Sequence, residues 1–327
     1  MIDFRYHLVS IIAVFLALAV GLVVGSTALS GKAEQFLTKA QDRAVARNNA
    51  LSSANRALNK QIGADQAFAQ AASQRLVGGL LTQDKVVLVI APGATPAVTS
   101  GVTAVLQEAG ATVTGEVNIQ QSFLNTSAAN EAALTQLAES LSTRAGLSPP
   151  AQSQSRVAGQ QAVAQVLAAS LLDTPAGTAL SAKAKAAILA GLEQNGFVSA
   201  SSTPQTATLA VLVAPGGAPP QTGSQVLVAL AAQLQAASSA TVMAGAAESV
   251  GAGSVISNEN NSANGVSTVD NADTESGQIM VVQALRYLLD GKGAAAFGID
   301  SGNAPSPAPT PSATPTGTTS VGSGRHL

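Results

Sequence analysis

Leu8 to Leu29 runs for 22 residues without a charged side chain, and that run constrains every architecture open to the chain. Wound as an α-helix at about 1.5 Å per residue, it is long enough to cross a hydrocarbon core of about 30 Å. A cleaved signal peptide is the competing reading, because Ser26-Thr27-Ala28 resembles a small-residue cleavage site. Signal-peptide apolar cores span about 7 to 15 residues, so the longer run is expected to be an uncleaved, single-pass anchor. Within it, Ala13, Ala17, Gly21 and Gly25 recur at every fourth position. Residues at that spacing share one helical face, and small ones there allow a second helix to approach closely. The alternative is that Ala and Gly are simply common in membrane helices.

A polar, proline-free stretch follows, rich in helix-favouring Ala, Gln, Arg, Leu and Lys. Every seventh residue from Leu37 (Leu37, Ala44, Leu51, Leu58, Asp65, Ala72) can serve as position d of a heptad repeat. Gln41, Asn48, Asn55, Ile62, Ala69 and Leu76 then occupy position a. Asn48 and Asn55 lower the stability of such a coiled coil but set its register and favour a parallel dimer. The other reading is a solvated stalk that packs on its own domain. Small-residue crossings are often right-handed whereas heptads supercoil left-handed, so a break near Ser30 and Gly31 is expected. Residues 1–82 hold eight Lys/Arg against four Asp/Glu, leaving eight against fourteen in the remainder. A basic segment beside a membrane helix suits anionic lipid headgroups; a solvated helix surface accounts for it equally well. Nucleic acid is not an expected partner, because the basic residues are dispersed and no aromatics alternate with them.

After Gly78-Gly79 the pattern changes. "DKVVLVIAPGATP" is a continuous apolar run ending in Gly and Pro, as expected of a strand buried on both faces. "AVTSGVTAVLQEAGA" reads as a helix and "TVTGEV" as the next strand, a βαβ unit. The same pattern returns in "TLAVLVAPGGAPP", "QTGSQVLVALAAQLQAAS" and "SATVMAGA", with Pro92-Gly93 and Pro215-Gly216 in matching places. Helices are expected near 129–145, 156–172 and 178–195, and a last one over "SGQIMVVQALRYLLDG". The fold expected is a single N-terminal transmembrane helix (1–30), a coiled-coil stalk (31–78), and an α/β domain with a mostly parallel sheet and two related βαβ half-units (79–300). A Pro/Ser/Thr-rich tail (301–327) has the composition of a disordered segment.

The chain offers little chemistry. Its two histidines are His7, beside the anchor, and His326, in the tail, and it has no cysteine. A Ser-His-Asp triad within the domain and a Cys nucleophile are therefore excluded, and no enzyme activity or catalytic residue is expected. Soft metals favour Cys, Met or His, and Met243 and Met280 lie in apolar stretches suited to core packing. The Ala-Pro-Gly turns lack the glycine spacing of dinucleotide and phosphate loops, so no cofactor is expected. One polar cluster, "NENNSANGVSTVDNADTESGQ", gathers Glu259, Asp270, Asp273 and Glu275. Carboxylates can bind Ca²⁺ or Mg²⁺, which makes Asp270, Asp273 and Glu275 candidates for a hard cation, and His7 is the separate candidate for a softer metal. The local alternative is that Asp273 or Thr274 caps the last helix and Glu275 complements its positive end.

"FRYHLVSIIAVFLALAVGLVVGS", "VVLVIAPG", "LAVLVAPGG" and "STVDNADTESGQ" together resemble the mycobacterial copper transport protein B (MctB) family of actinobacterial envelope proteins. The likeness covers roughly residues 1–300, and its most specific positions are Arg5, Tyr6 and His7, joined by Asp270, Asn271, Asp273 and Gly277. The resemblance implies a role in copper export or copper homeostasis, with copper as a transported ion, and the family is described as channel-forming and outer-membrane. The continuous apolar strands and scarce aromatics do not suit an outer-membrane barrel. Arg5 precedes the anchor, while Lys32, Lys39, Arg43 and Arg47 follow it, a bias that taken alone would keep the domain cytoplasmic. The resemblance and the Thr/Pro tail favour an extracytoplasmic domain. The expected partners are membrane lipid, a second copy of the chain through anchor and stalk, and other envelope proteins. The alternative function is a dimeric, membrane-tethered scaffold or binding module without copper chemistry of its own.

Overall fold

A computed structural model describes residues 4–150, 155–173, 180–200, 204–217, 219 and 221–301; for 4–5, 26–36 and 221 it describes the backbone alone. The tail beyond Ser301 lies outside the described residues. The chain forms two units, one up to residue 65 and one from residue 66 onward.

The first unit is helical throughout. Helix α1 runs from Phe4 to Val77 without interruption and continues into the second unit. The break expected at Ser30 and Gly31 is absent, since both are helical. Glycine inside a helix costs only about 1 kcal/mol relative to alanine, and no proline removes a backbone donor here. The conflict between the two crossing hands arises between paired helices and places no demand on a single one.

Helix α1 ends by packing onto the second unit. Ser73 and Val77 are buried and Ala69 packs against the same core, so one face four residues apart is committed to the domain. Leu76 and Phe68, on other faces, are exposed. For its last turns, the stalk therefore packs on its own domain.

The domain is a seven-stranded sheet covered by helices on both faces. In chain order it comprises β1 (Lys85–Ile90), α2 (Pro96–Glu108), β2 (Thr112–Ile119), α3 (Ala128–Ala145), α4 (Ala158–Leu171) and α5 (Ala182–Gln194). Then follow β3 (Val198–Ala200), β4 (Leu209–Val213), α6 (Gln221–Ala237), β5 (Ala240–Ala244), α7 (Val255–Asn260), β6 (Ser267–Val269), α8 (Glu275–Leu289) and β7 (Ala296–Phe297). The strand order is β3-β2-β1-β4-β5-β6-β7, and every pairing is parallel except β2 with β3.

Side chains of a strand alternate between faces, and each central strand divides its apolar residues accordingly. Val86 and Leu88 of β1, with Leu209, Val211 and Val213 of β4, join α2 and α8 in one core. Val87 and Val89, with Ala210, Leu212 and Met243, join α3, α4, α5, α6 and α7 in the other. Apolar runs without polar alternation are what a sheet buried on both sides requires. The two βαβ half-units, β1-α2-β2 and β4-α6-β5, start at the centre and grow in opposite directions. Because such crossovers are right-handed, opposite growth places α2 and α6 on opposite faces.

Candidate functional site

The place where the strand order reverses, between β1 and β4, is where open parallel sheets usually bind ligands. Here the two Ala-Pro-Gly turns bond to one another. Gly216 N–H donates to Gly93 O at 2.9 Å, Ala91 N–H donates to Val213 O at 3.0 Å, and Ala94 bridges Pro215. Gly93 adopts φ +83°, the left-handed conformation that this turn needs. Ser249 Oγ closes the same end by donating to Pro215 O at 2.7 Å. The matching turns join the half-units together.

The polar cluster identified in the sequence forms the β6–α8 junction. Asp270 is 3% exposed, and its Oδ1 and Oδ2 accept from the backbone N–H groups of Ile299 at 2.6 Å and Asp300 at 2.9 Å. A Cβ at Gly298, whose φ is +124°, would fall 1.9 Å from Oδ1. Asp270 thus clamps the chain just after β7, using charge-assisted bonds to backbone donors. Thr274 is the N-cap of α8: its side chain accepts from Gly277 N–H at 3.1 Å and donates to Asn271 O at 2.8 Å. A Cβ at Gly277 would sit 1.9 Å from Asn271 O, so only glycine allows this first turn to approach so closely. Asn271 Oδ1 is buried without a partner among the described residues. Glu275 lies in the first turn, where a carboxylate complements the helix dipole. Asp273 is exposed beside it.

Local structural roles account for most of this cluster: Thr274 caps α8, Asp270 clamps the chain after β7 and Glu259 holds its own turn. Among the described residues, no group of three or more His, Cys, Asp or Glu is placed to hold a metal ion. Asp270, offered as a ligand by the sequence, has both carboxylate oxygens engaged by backbone donors. Glu259 is 2% exposed and accepts from Ser262 Oγ at 2.7 Å and Asn264 Nδ2 at 3.2 Å. Burial raises its pKa above the usual carboxylate value, and these two hydrogen bonds pull it partly back.

The N-terminal unit has a different character. Tyr6–Gly25 forms a helical stretch long and apolar enough to cross a membrane, and none of it is buried. Tyr6 and His7 begin it, both exposed; of Arg5 only the backbone is described. Ala13, Ala17, Gly21 and Gly25 lie along it at helical spacing, and a Cβ added at Gly21 or Gly25 would meet nothing within 4 Å. Further along α1, Asn48 and Asn55 are exposed, as are Leu37, Leu51, Leu58 and Ile62 of the heptad pattern, each by more than half.

Sequence reasoning missed Lys185, which is largely buried on α5 and bonds Asp173 at 3.1 Å and Thr206 Oγ1 at 2.7 Å. A lysine in an amphipathic helix reads as solvated, and nothing local marks this one for burial.

The family model described as "Copper transport outer membrane protein, MctB" matches residues 1–309 of the chain. The "Copper transporter MctB" of Mycobacterium tuberculosis (strain ATCC 25618 / H37Rv) is 30% identical over 311 residues, covering 92% of this chain and 98% of that one. The protein of the same name from Mycobacterium bovis (strain ATCC BAA-935 / AF2122/97) matches to the same extent. That of Mycobacterium leprae (strain TN) is 29% identical over 314 residues.

Proposed function

Since the chain belongs to the MctB family, we propose that it is a membrane-anchored envelope protein acting in copper export or copper homeostasis. The observation that carries this reading is likeness along 92% of the chain to relatives named as copper transporters, so that anchor and domain are both included. The stretch Tyr6–Gly25 holds the chain in the membrane, and the α/β domain lies on the extracytoplasmic side. The domain contains no Cys or His, its Met243 is buried in one core and its Met280 is half-buried against the core on the other face of the sheet, so copper passes by way of a partner or an oxygen-lined path, not through a soft-ligand site of this domain. No reaction is assigned to the protein. Deleting the gene should raise cellular copper and copper sensitivity, with restoration by the full chain. Equal sensitivity to copper, zinc and detergent in the deletion strain would count against it.

The exposed heptad residues favour a second reading, a dimeric tethered scaffold without copper chemistry of its own. Leu51 is 59% exposed and Ile62 51% exposed in the single chain. Burying a leucine or isoleucine side chain is worth about 1.5–3 kcal/mol, which a second copy aligned through Asn48 and Asn55 would supply. Under this reading the deletion strain is generally envelope-defective and its copper content is unchanged.

A further inference from the structure

A groove of about 470 Å³ lies on the second unit between the last turns of α1, helix α2 and the start of α8. Three carboxylates line it, Glu108, Asp273 and Glu275, and no Lys or Arg does. Asp273 and Glu275 lie at the N-terminus of α8, where the helix dipole explains them. Glu108 has no such explanation. It is the last residue of α2, at the end where a negative charge is unfavourable, and Ser73 Oγ holds it there by donating to its Oε2.

A second observation points to a ligand. Gln278, only 9% exposed, lines the groove, and its amide has no hydrogen-bond partner among the described residues. The amide lies against Gly101 so closely that a Cβ at that position would fall 2.1 Å from Nε2. Only a glycine at position 101 leaves room for the amide there, so its polar atoms face the groove without a protein partner among the described residues. The groove therefore presents negative charge and an unused amide oxygen, which together suit a positively charged donor.

We propose that this groove binds an ammonium or guanidinium group, the end of a free polyamine or of a Lys or Arg side chain. A bare metal ion fits poorly. The volume is many times that of one ion, and the carboxylates are not grouped as a metal would require. A flexible cation with several donors can span separated carboxylates and the amide, and each charge-assisted bond is stronger than a neutral one.

The test is titration calorimetry on the full chain in an uncharged detergent, with spermidine and tri-arginine as separate probes. Saturable binding of at least one is expected, weakened about tenfold by Glu108→Gln, which retains an acceptor for Ser73. Gly101→Ala should weaken it similarly by displacing the Gln278 amide, a shift that a side-chain end accommodates without unfolding; melting curves verify both folds. Binding of spermidine alone identifies a free polyamine, binding of tri-arginine alone a side chain, and binding of both the charged group itself. No saturable binding of either probe, unchanged affinity in both folded variants, or equal displacement by Ca²⁺ overturns the proposal.

Discussion

The unit up to residue 65 and the unit from residue 66 onward are both rich in apolar residues, yet they use them in opposite ways. In the domain, the apolar side chains of β1, β4 and β5 have almost no exposure, the half-buried Ile90 excepted, because two helical layers cover the sheet. In α1, Leu16, Leu22, Leu51 and Leu58 are each more than half exposed. The domain's cores are complete within one chain; the large apolar side chains described in the helical unit are exposed. Lipid is the natural cover for Tyr6–Gly25, and a second copy is the cover proposed for the heptad face. Substitutions in the domain should therefore register in its folding, and substitutions in the N-terminal unit should register in association.

The largest effect should come from the tightest contact in the domain. Gly277→Val drives a side chain into the backbone of Asn271 and should cost about 3 kcal/mol. For a domain of this size that corresponds to a fall in melting temperature of roughly 6–12 °C; an unchanged melting curve would break the account of the β6–α8 junction. Asp270→Ala removes the acceptor for two backbone donors and should cost about 2 kcal/mol. Accelerated amide exchange at Ile299 and Asp300 should accompany that loss.

Glu259 offers a smaller test with a definite sign. Burial raises its pKa in the folded state, so the folded protein binds a proton more readily than the unfolded chain. Stability is then highest below the ordinary glutamate value, falls as pH rises through the interval up to the raised value, and levels off above it. Glu259→Gln should abolish that fall, melting close to the parent at acidic pH and above it at neutral pH. Parallel melting-versus-pH curves for parent and variant would refute the assignment.

The smallest effect on domain stability should come from the N-terminal unit. Gly21→Leu with Gly25→Leu adds side chains into open space in the single chain, so the domain should melt unchanged. Association should change instead. Leu51→Cys should cross-link efficiently to its own copy, Ser53→Cys on the outward face should not, and the double leucine change should reduce the Leu51 cross-link. Equal yields at both positions would leave the small-residue ladder without a partner.

Much of the fold was legible because its signals are local. "VVLVI" and "LAVLV" announce strands buried on both faces, and they form β1 and β4. The run after Asp273 and Thr274 marks the last helix and offers either residue as its cap, and Thr274 is the one that caps it. Short strands were invisible for the same reason. β3, β6 and β7 have three, three and two residues, and β6 reads Ser-Thr-Val, so pairing rather than pattern makes them strands. The roles of Asp270 and Gly298 were illegible too, since these residues, 28 positions apart in the chain, meet only when β7 is in place.

By itself the sequence determined the uncharged apolar run, the absence of Cys and of His from the domain, the doubled βαβ pattern and the likeness to MctB. These follow from composition and from periodicities that any helix or strand must obey. Tertiary structure alone decided that the two Ala-Pro-Gly turns would close on one another, that Asp270 would clamp the end of the sheet, and that Gln278 would lie unpaired beside Gly101. Each depends on atoms distant in the chain meeting within a few ångströms, and a local pattern carries no information about such meetings until strand order and helix faces are set.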